Sequence, residues 1–195
     1  MRRFMILSFL VLFLSLVGLF NCKTVEAKQA LIVIFEWFRE TPYSEMRSIL
    51  ENKGVKVNVA SSSVEPISGR EKKLTVKPDM LLSQVRTAEY DAIVFIGGSH
   101  YPGDNADAIR IAKEGASEGK VLAAIGAAAY DPLIRAGLLK GKKIAPAIED
   151  FWIQKVGATK GSAPVERDGI IITGMIENDR QFAETVAAAL TAGSQ

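Results

Sequence analysis

One cysteine and one histidine stand in the 195 residues of this chain. Cys22 lies in an N-terminal apolar segment, so the remainder carries no thiol, and a disulfide framework or thiolate metal site is excluded there. A single histidine, His100, likewise excludes a His-rich zinc site. No metal and no cofactor is expected. The chain also lacks a stripe of clustered Lys and Arg interleaved with aromatics, so no nucleic-acid partner is expected. Repeats and low-complexity tracts are absent, and the length is too small for two ordinary domains but ample for one core.

There is one long hydrophobic run. MRRFMILSFLVLFLSLVGLF joins two arginines to apolar residues 4–20 and turns polar at NCKTVEAK, the shape of a secretory signal peptide. Val25 and Ala27 suit cleavage after Ala27, giving a leader over 1–27 and a domain over 28–195. Two rivals stand beside this: an uncleaved anchor, the run being near the lower limit for crossing a bilayer, and lipidation at Cys22. The second is the weaker, because Phe20 and Asn21 precede the cysteine where a small residue is the rule. Each version places the folded part outside the cytoplasm, with membrane contact only through the N-terminus. Removing 1–27 takes Arg2, Arg3 and Lys23 against Glu26, so the formal charge of +2 falls to about zero.

Beyond the leader, apolar strands alternate with amphipathic helices. ALIVIF (30–35), DAIVFIGG (91–98) and VLAAIG (121–126) are unbroken branched or small apolar runs, suited to strands buried on both faces of a parallel sheet. VKVNVASSS (55–63) is a further strand feeding a loop, and 142–147 and 169–173 are two more. Helices are predicted from TPYSEMRSILENKG, with Pro42 near its start and Gly54 at its end, from a short stretch starting at Pro78, from 105–118, from 133–139 and from RQFAETVAAALTA. Residues 64–76 form a hairpin or excursion. The alternation predicts an α/β domain with a mainly parallel central sheet between helical layers. A ligand crevice then lies beyond the carboxyl ends of the strands, built from residues 35–40, 97–103 and 126–130.

IVFIGGSH, EGKVLAAIGAAAYDPLIRAGLLKGKK and VERDGIIITG together resemble successive signatures of the PfpI/DJ-one superfamily, of the class I glutamine-amidotransferase-like kind, over essentially all of 28–195. The most specific block is Lys120 to Lys143, where the AAI, the glycines and AGLLKGKK agree with the family. The resemblance implies a flavodoxin-like three-layer sandwich and self-association as a homodimer or larger homo-oligomer. It also locates a departure. The family's reactive cysteine falls at Gly126. The glutamate that pairs with that thiol falls at Thr41 or Pro42, Glu40 matching the preceding acid, and the histidine some members carry next to the cysteine is Ala127.

A side chain on such a strand-to-helix elbow holds strained backbone angles at a cost of about 1–3 kcal/mol, whereas glycine occupies them freely. Gly126 therefore removes the nucleophile and relaxes the bend together. Around it, Gly97 and Gly98 offer backbone N–H groups for an anion pocket, or simply make the turn. His100 and Glu40 are the candidate acid/base groups, a solvated loop histidine being the plain alternative for His100. Arg39 suits a carboxylate or phosphate, and Ala127 and Tyr101 join the candidate ligand-binding set; Glu36, Trp37, Tyr43 and Asp104 cluster on the same loops. Asp131 before Pro132 is ordinary cap chemistry. Phe151 and Trp152 are expected to pack against the core, a partner surface being the alternative.

The expectation is an exported, non-catalytic member of the family that binds a small molecule or a protein partner through the old crevice. The alternative is a hydrolase or glyoxalase-type lyase with a rebuilt, cysteine-independent site. A third is a chaperone-like stress protein, which the resemblance invites and no residue specifies.

Overall fold

The computed structural model describes residues 27–99 and 101–191. The leader over 1–27 therefore falls, except for Ala27, outside the described residues, as does His100. The strands are β1 (Gln29–Val33), β2 (Lys56–Ser61), β3 (Ile67–Ser68), β4 (Thr75–Val76), β5 (Met80–Leu81), β6 (Ala92–Ile96), β7 (Val121–Ile125), β8 (Lys143–Ile144), β9 (Thr159–Lys160), β10 (Val165–Asp168) and β11 (Ile171–Gly174). The helices are α1 (Glu40–Asn52), α2 (Ala106–Ser117), α3 (Asp131–Arg135), α4 (Asp150–Lys155) and α5 (Asp179–Thr191).

Seven strands make the central sheet in the order β10-β11-β7-β6-β1-β2-β5. Every pairing is parallel except β10 with β11 at one edge. The chain leaves β1 toward β2 on one side and returns to β6 on the other, so strand order reverses beside β1. That reversal opens the crevice an α/β sheet uses.

Successive side chains of a strand point to opposite faces, and here each face meets its own helical layer. Ala30, Ile32 and Ile34 pack with Met46 and Leu50 of α1 and Phe182 and Val186 of α5. Leu31, Val33 and Phe35 pack with Ile111 and Ala112 of α2 and Leu133 of α3. The result is a three-layer sandwich with a mainly parallel sheet, as the alternation predicts. Gly115 lets α2 lie close on the sheet, since a Cβ there would stand 2.7 Å from Ile93 Cδ1. The side-chain oxygen of Asn105 caps α2 by accepting from Ala108 N at 2.9 Å, holding one N–H that a helix start leaves without a partner.

Several elements differ from expectation. No α-helix starts at Pro78: Asp79 accepts Val59 N–H at 2.7 Å and donates its own N–H to Val59 O at 2.8 Å. These bonds draw the segment alongside β2 as β5, and only a 3-10 turn follows at Leu82–Gln84. The helix expected over 133–139 ends at Arg135, where the chain turns through Gly137 at φ +75°. Of 142–147 only Lys143–Ile144 is strand, paired with β9 in a separate two-stranded sheet. Phe151 and Trp152 do not pack inward; they lie on the outer side of α4, 65% and 46% exposed, while Ile153 turns to the core. The 64–76 excursion is a hairpin of β3 and β4.

Candidate functional site

Four strand ends meet at one hollow of about 350 Å³. The loop after β1 contributes Arg39, that after β6 Gly97 and Gly98, and that after β7 Gly126, Ala127 and Ala128. Met175, Ile176 and Glu177 follow β11, and Pro146 and Ala147 close the rim. The lining is thus mostly backbone and small side chains, with one guanidinium and one carboxylate.

Gly126 is the elbow. It has φ +83° and ψ +148°, a combination essentially restricted to glycine. Its N–H donates to Gly174 O at 3.0 Å and its carbonyl accepts Ala129 N–H at 3.0 Å, which starts the 3-10 turn Ala127–Tyr130 leading into α3. Tyr130 Oη reaches the same Gly174 carbonyl at 3.4 Å, so the ends of β7 and β11 are tied together below the hollow. Burial pushes the Tyr130 hydroxyl well above the usual phenol range, so it stays protonated and keeps donating.

The two glycines after β6 permit close approach. A Cβ on Gly97 would stand 2.9 Å from Ile125 O, and one on Gly98 would stand 2.5 Å from Trp37 O. Gly97 N–H is not open to a ligand: it donates to Ile125 O at 3.0 Å. Gly98 bridges Phe38 through Arg39 N to Gly97 O at 2.9 Å and Ser99 N to Trp37 O at 3.1 Å. In that pairing Gly98 N–H points away from Phe38. Among the described residues the N–H groups of Gly98, Ala127 and Ala128 meet no acceptor, and all three residues line the hollow.

Arg39 arrives there because the preceding loop is clamped. Trp37 takes φ +61°, a left-handed conformation costly for a bulky residue, and its N–H donates to Ser68 O of the hairpin at 2.9 Å. Arg39 itself is half-buried and makes no ion pair or hydrogen bond through its guanidinium among the described residues.

Glu40 is not an acid/base group of this hollow. It begins α1, is 6% exposed and faces the β3–β4 hairpin, where Oε1 accepts Lys73 N–H at 3.0 Å and Leu74 N–H at 3.3 Å. Its side chain fills the space a Cβ on Gly69 would take. One residue of helical phase separates Arg39, which enters the hollow, from Glu40, which leaves it. Tyr43 follows the same phase: it packs on Phe38 and its hydroxyl accepts from Arg47 at 3.0 Å. Glu36 accepts Ser68 N–H at 3.3 Å, and Asp104 is solvent-exposed.

Tyr101 is not a lining residue either. Its ring meets Phe35 edge-on at 4.7 Å, and its buried hydroxyl finds no hydrogen-bond partner among the described residues. Burial, with the Asp131 charge nearby, pushes this phenol well above its usual range. Asp131 does not cap α3, whose N-cap residue is Tyr130; its carboxylate sits under the turn at Gly103, where a Cβ would overlap it. Burial raises the Asp131 carboxyl, partly opposed by Arg135.

A second hollow of about 640 Å³ adjoins the first. Ala127, Ala128 and Ala147 line both. Ile134, Ile148 and Trp152 are its large apolar side chains, and Asp131, Arg135 and Glu149 also line it. Sequence reasoning missed this hollow because α4, at six residues, is too short to register as an amphipathic helix. The signal available was the exposed FW pair. Among the described residues no three His, Cys, Asp or Glu side chains gather to hold a metal ion, and no helix is long and apolar enough to cross a membrane.

Comparison with known proteins agrees with this architecture. The model of the DJ-1/PfpI family matches residues 28–189. An uncharacterised protein of Methanocaldococcus jannaschii is 34% identical over 156 residues, covering 75% of this chain and 74% of that one. A protein of Pyrococcus abyssi named a deglycase is 34% identical over 136 residues, 67% of this chain and 79% of that one. The crystal structure of a ThiJ/PfpI domain protein from Brachyspira murdochii superposes with a TM-score of 0.80 at 24% identity, over 85% of this chain and 98% of that one. By the match along its whole folded part and by these relatives, this chain belongs to the DJ-1/PfpI family.

Proposed function

We propose that this family member binds a small anionic or carbonyl-bearing molecule in the hollow above Gly126 and does not turn it over by covalent chemistry. The observation that carries the reading is Gly126 itself, a residue without a nucleophilic atom at the elbow, in a backbone conformation no other residue holds cheaply. The side chains beside it agree. Ala127 and Ala128 supply methyl groups, and the nearest acid on α1, Glu40, is spent on the hairpin. Three N–H groups, of Gly98, Ala127 and Ala128, and the Arg39 guanidinium then outnumber the one carboxylate of the lining, Glu177, and form a receptor for negative charge. Export through the segment 1–27 and self-association belong to the same reading, and rest on the sequence and on the family resemblance.

The test is turnover. The purified domain from Lys28 onward is expected to leave methylglyoxal and peptide substrates unchanged, while small carboxylates raise its unfolding midpoint through Arg39. Turnover that His100→Ala abolishes would overturn the reading in favour of a rebuilt enzyme. The name of the Pyrococcus abyssi relative makes deglycation of a glycated amine the third activity to assay.

A further inference from the structure

The two adjoining hollows differ in character. The first presents the Arg39 guanidinium, the Glu177 carboxylate and N–H donors; the second presents Ile134, Ile148 and the Trp152 ring. Ala127, Ala128 and Ala147 line both, with side chains too short to form a partition. Ligand sites are commonly apolar hollows of this size with a few convergent polar groups that fix orientation. Each hollow alone supplies half of that description.

We infer that the two hollows form one binding site for an amphiphilic monocarboxylate, its carboxylate at Arg39 and its apolar body along Ile134, Ile148 and Trp152. The inference rests on the binding reading above and names its ligand class. Charge sets the orientation. The first hollow sets one carboxylate, Glu177, beside Arg39 and the three N–H donors, whereas the second sets two, Asp131 and Glu149, beside Arg135, so an anionic group gains more at the Arg39 end. Burying an apolar body of several carbons against Ile134, Ile148 and Trp152 adds affinity that acetate cannot reach.

The experiment uses the domain from Lys28 onward with Trp37→Phe, which leaves Trp152 as the sole tryptophan. Acetate, 4-phenylbutyrate and 4-phenylbutanol are titrated by calorimetry and by tryptophan emission. The expected result is that 4-phenylbutyrate binds at least about tenfold more tightly than either other probe and changes Trp152 emission at saturation. Arg39→Met is expected to erase its advantage over 4-phenylbutanol, and Ile148→Asp its advantage over acetate. Equal binding of acetate and 4-phenylbutyrate, both lost with Arg39→Met and neither sensed by Trp152, overturns the two-hollow site and leaves the small-anion reading standing. Binding that Arg39→Met leaves intact, or no binding of any probe, also overturns it. Turnover of methylglyoxal bears only on the catalytic question, so the two failures are distinguishable.

Discussion

Ile176 Cδ1 lies 3.0 Å from the point a Cβ on Gly126 would occupy. Steric contact and backbone angle thus both hold position 126 to glycine. Gly126→Ala is expected to cost about 2–3 kcal/mol, the upper part of the range for one residue in a sparsely populated backbone region. Gly137→Ala is the control. It also has positive φ but nothing within 4 Å of its would-be Cβ, so about 1 kcal/mol is expected. Urea unfolding of the two variants measures the difference, and equal losses would show that Ile176 simply moves aside. Gly126→Cys is expected to fold poorly and to show no turnover, because no acid from α1 reaches it.

Glu40 and Gly69 make the second pair to probe. The carboxylate rests against the backbone of Gly69 and takes two N–H groups from the hairpin through one oxygen. Charged hydrogen bonds of this kind contribute about 1.5–3 kcal/mol. Glu40→Ala is therefore expected to lose about 3 kcal/mol, and Glu40→Gln, which keeps an acceptor oxygen, about 1 kcal/mol. Gly69→Ala should resemble Glu40→Ala, because its Cβ displaces the same side chain. If the hairpin clamps the loop that presents Arg39, protection from hydrogen exchange at Lys73 and Leu74 and carboxylate affinity should fall together in these variants.

The sheet was legible from the sequence and the site only in part. Unbroken apolar runs such as Ala92–Ile96 are buried at every position, and that pattern depends on composition alone. The edge elements were not legible. β10, with the residues VERD, has three charged residues in four, Glu166 among them buried, and pairs only with β11, so it carries half the signal of a central strand. Arg39 and Glu40, adjacent in sequence, point to different destinations, and no periodicity in a loop reveals which of two neighbours enters the crevice. The glycines at 97 and 98 were readable as a turn. That Gly97 spends its N–H on Ile125 while Gly98 does not depends on the register between β6 and β7.

Acid titration separates two aspartates by sign. The N–H of Lys143, then the Lys142 ammonium, holds the Asp168 carboxyl below its usual range. A carboxyl lowered in the folded state contributes stability above its unfolded pKa of about 3.9 and loses it as pH falls through the folded value. Asp168→Asn is thus expected to be less stable than the parent at pH 7, the gap closing below about pH 4. For Asp131, raised by burial, the sign reverses. Its contribution is fully present below the unfolded pKa and is lost as pH rises through the folded one, so the parent gains relative to Asp131→Asn on acidification. Thermal unfolding from pH 3 to 7 measures both slopes, and slopes of the same sign would contradict the burial of Asp131.

Thr173 joins the core to the rim that the two hollows share. Its buried hydroxyl accepts Ala145 N–H at 2.9 Å, and Ala145 leads directly into Pro146 and Ala147 at the rim. Thr173→Val keeps the volume but leaves that N–H buried without an acceptor, at a cost of about 1–3 kcal/mol. Thr173→Ser keeps the acceptor and loses one methyl, with an expected cost of about 1 kcal/mol. The consequence for binding separates the two further. If residues 145–148 hold the alanine passage open, Thr173→Val weakens 4-phenylbutyrate more than acetate, because only the longer molecule passes Ala147. Thr173→Ser leaves the ratio of the two affinities unchanged. A ratio unaffected by Thr173→Val would mean that the rim keeps its shape without this bond, and that the passage is set by the turn Ala127–Tyr130 alone.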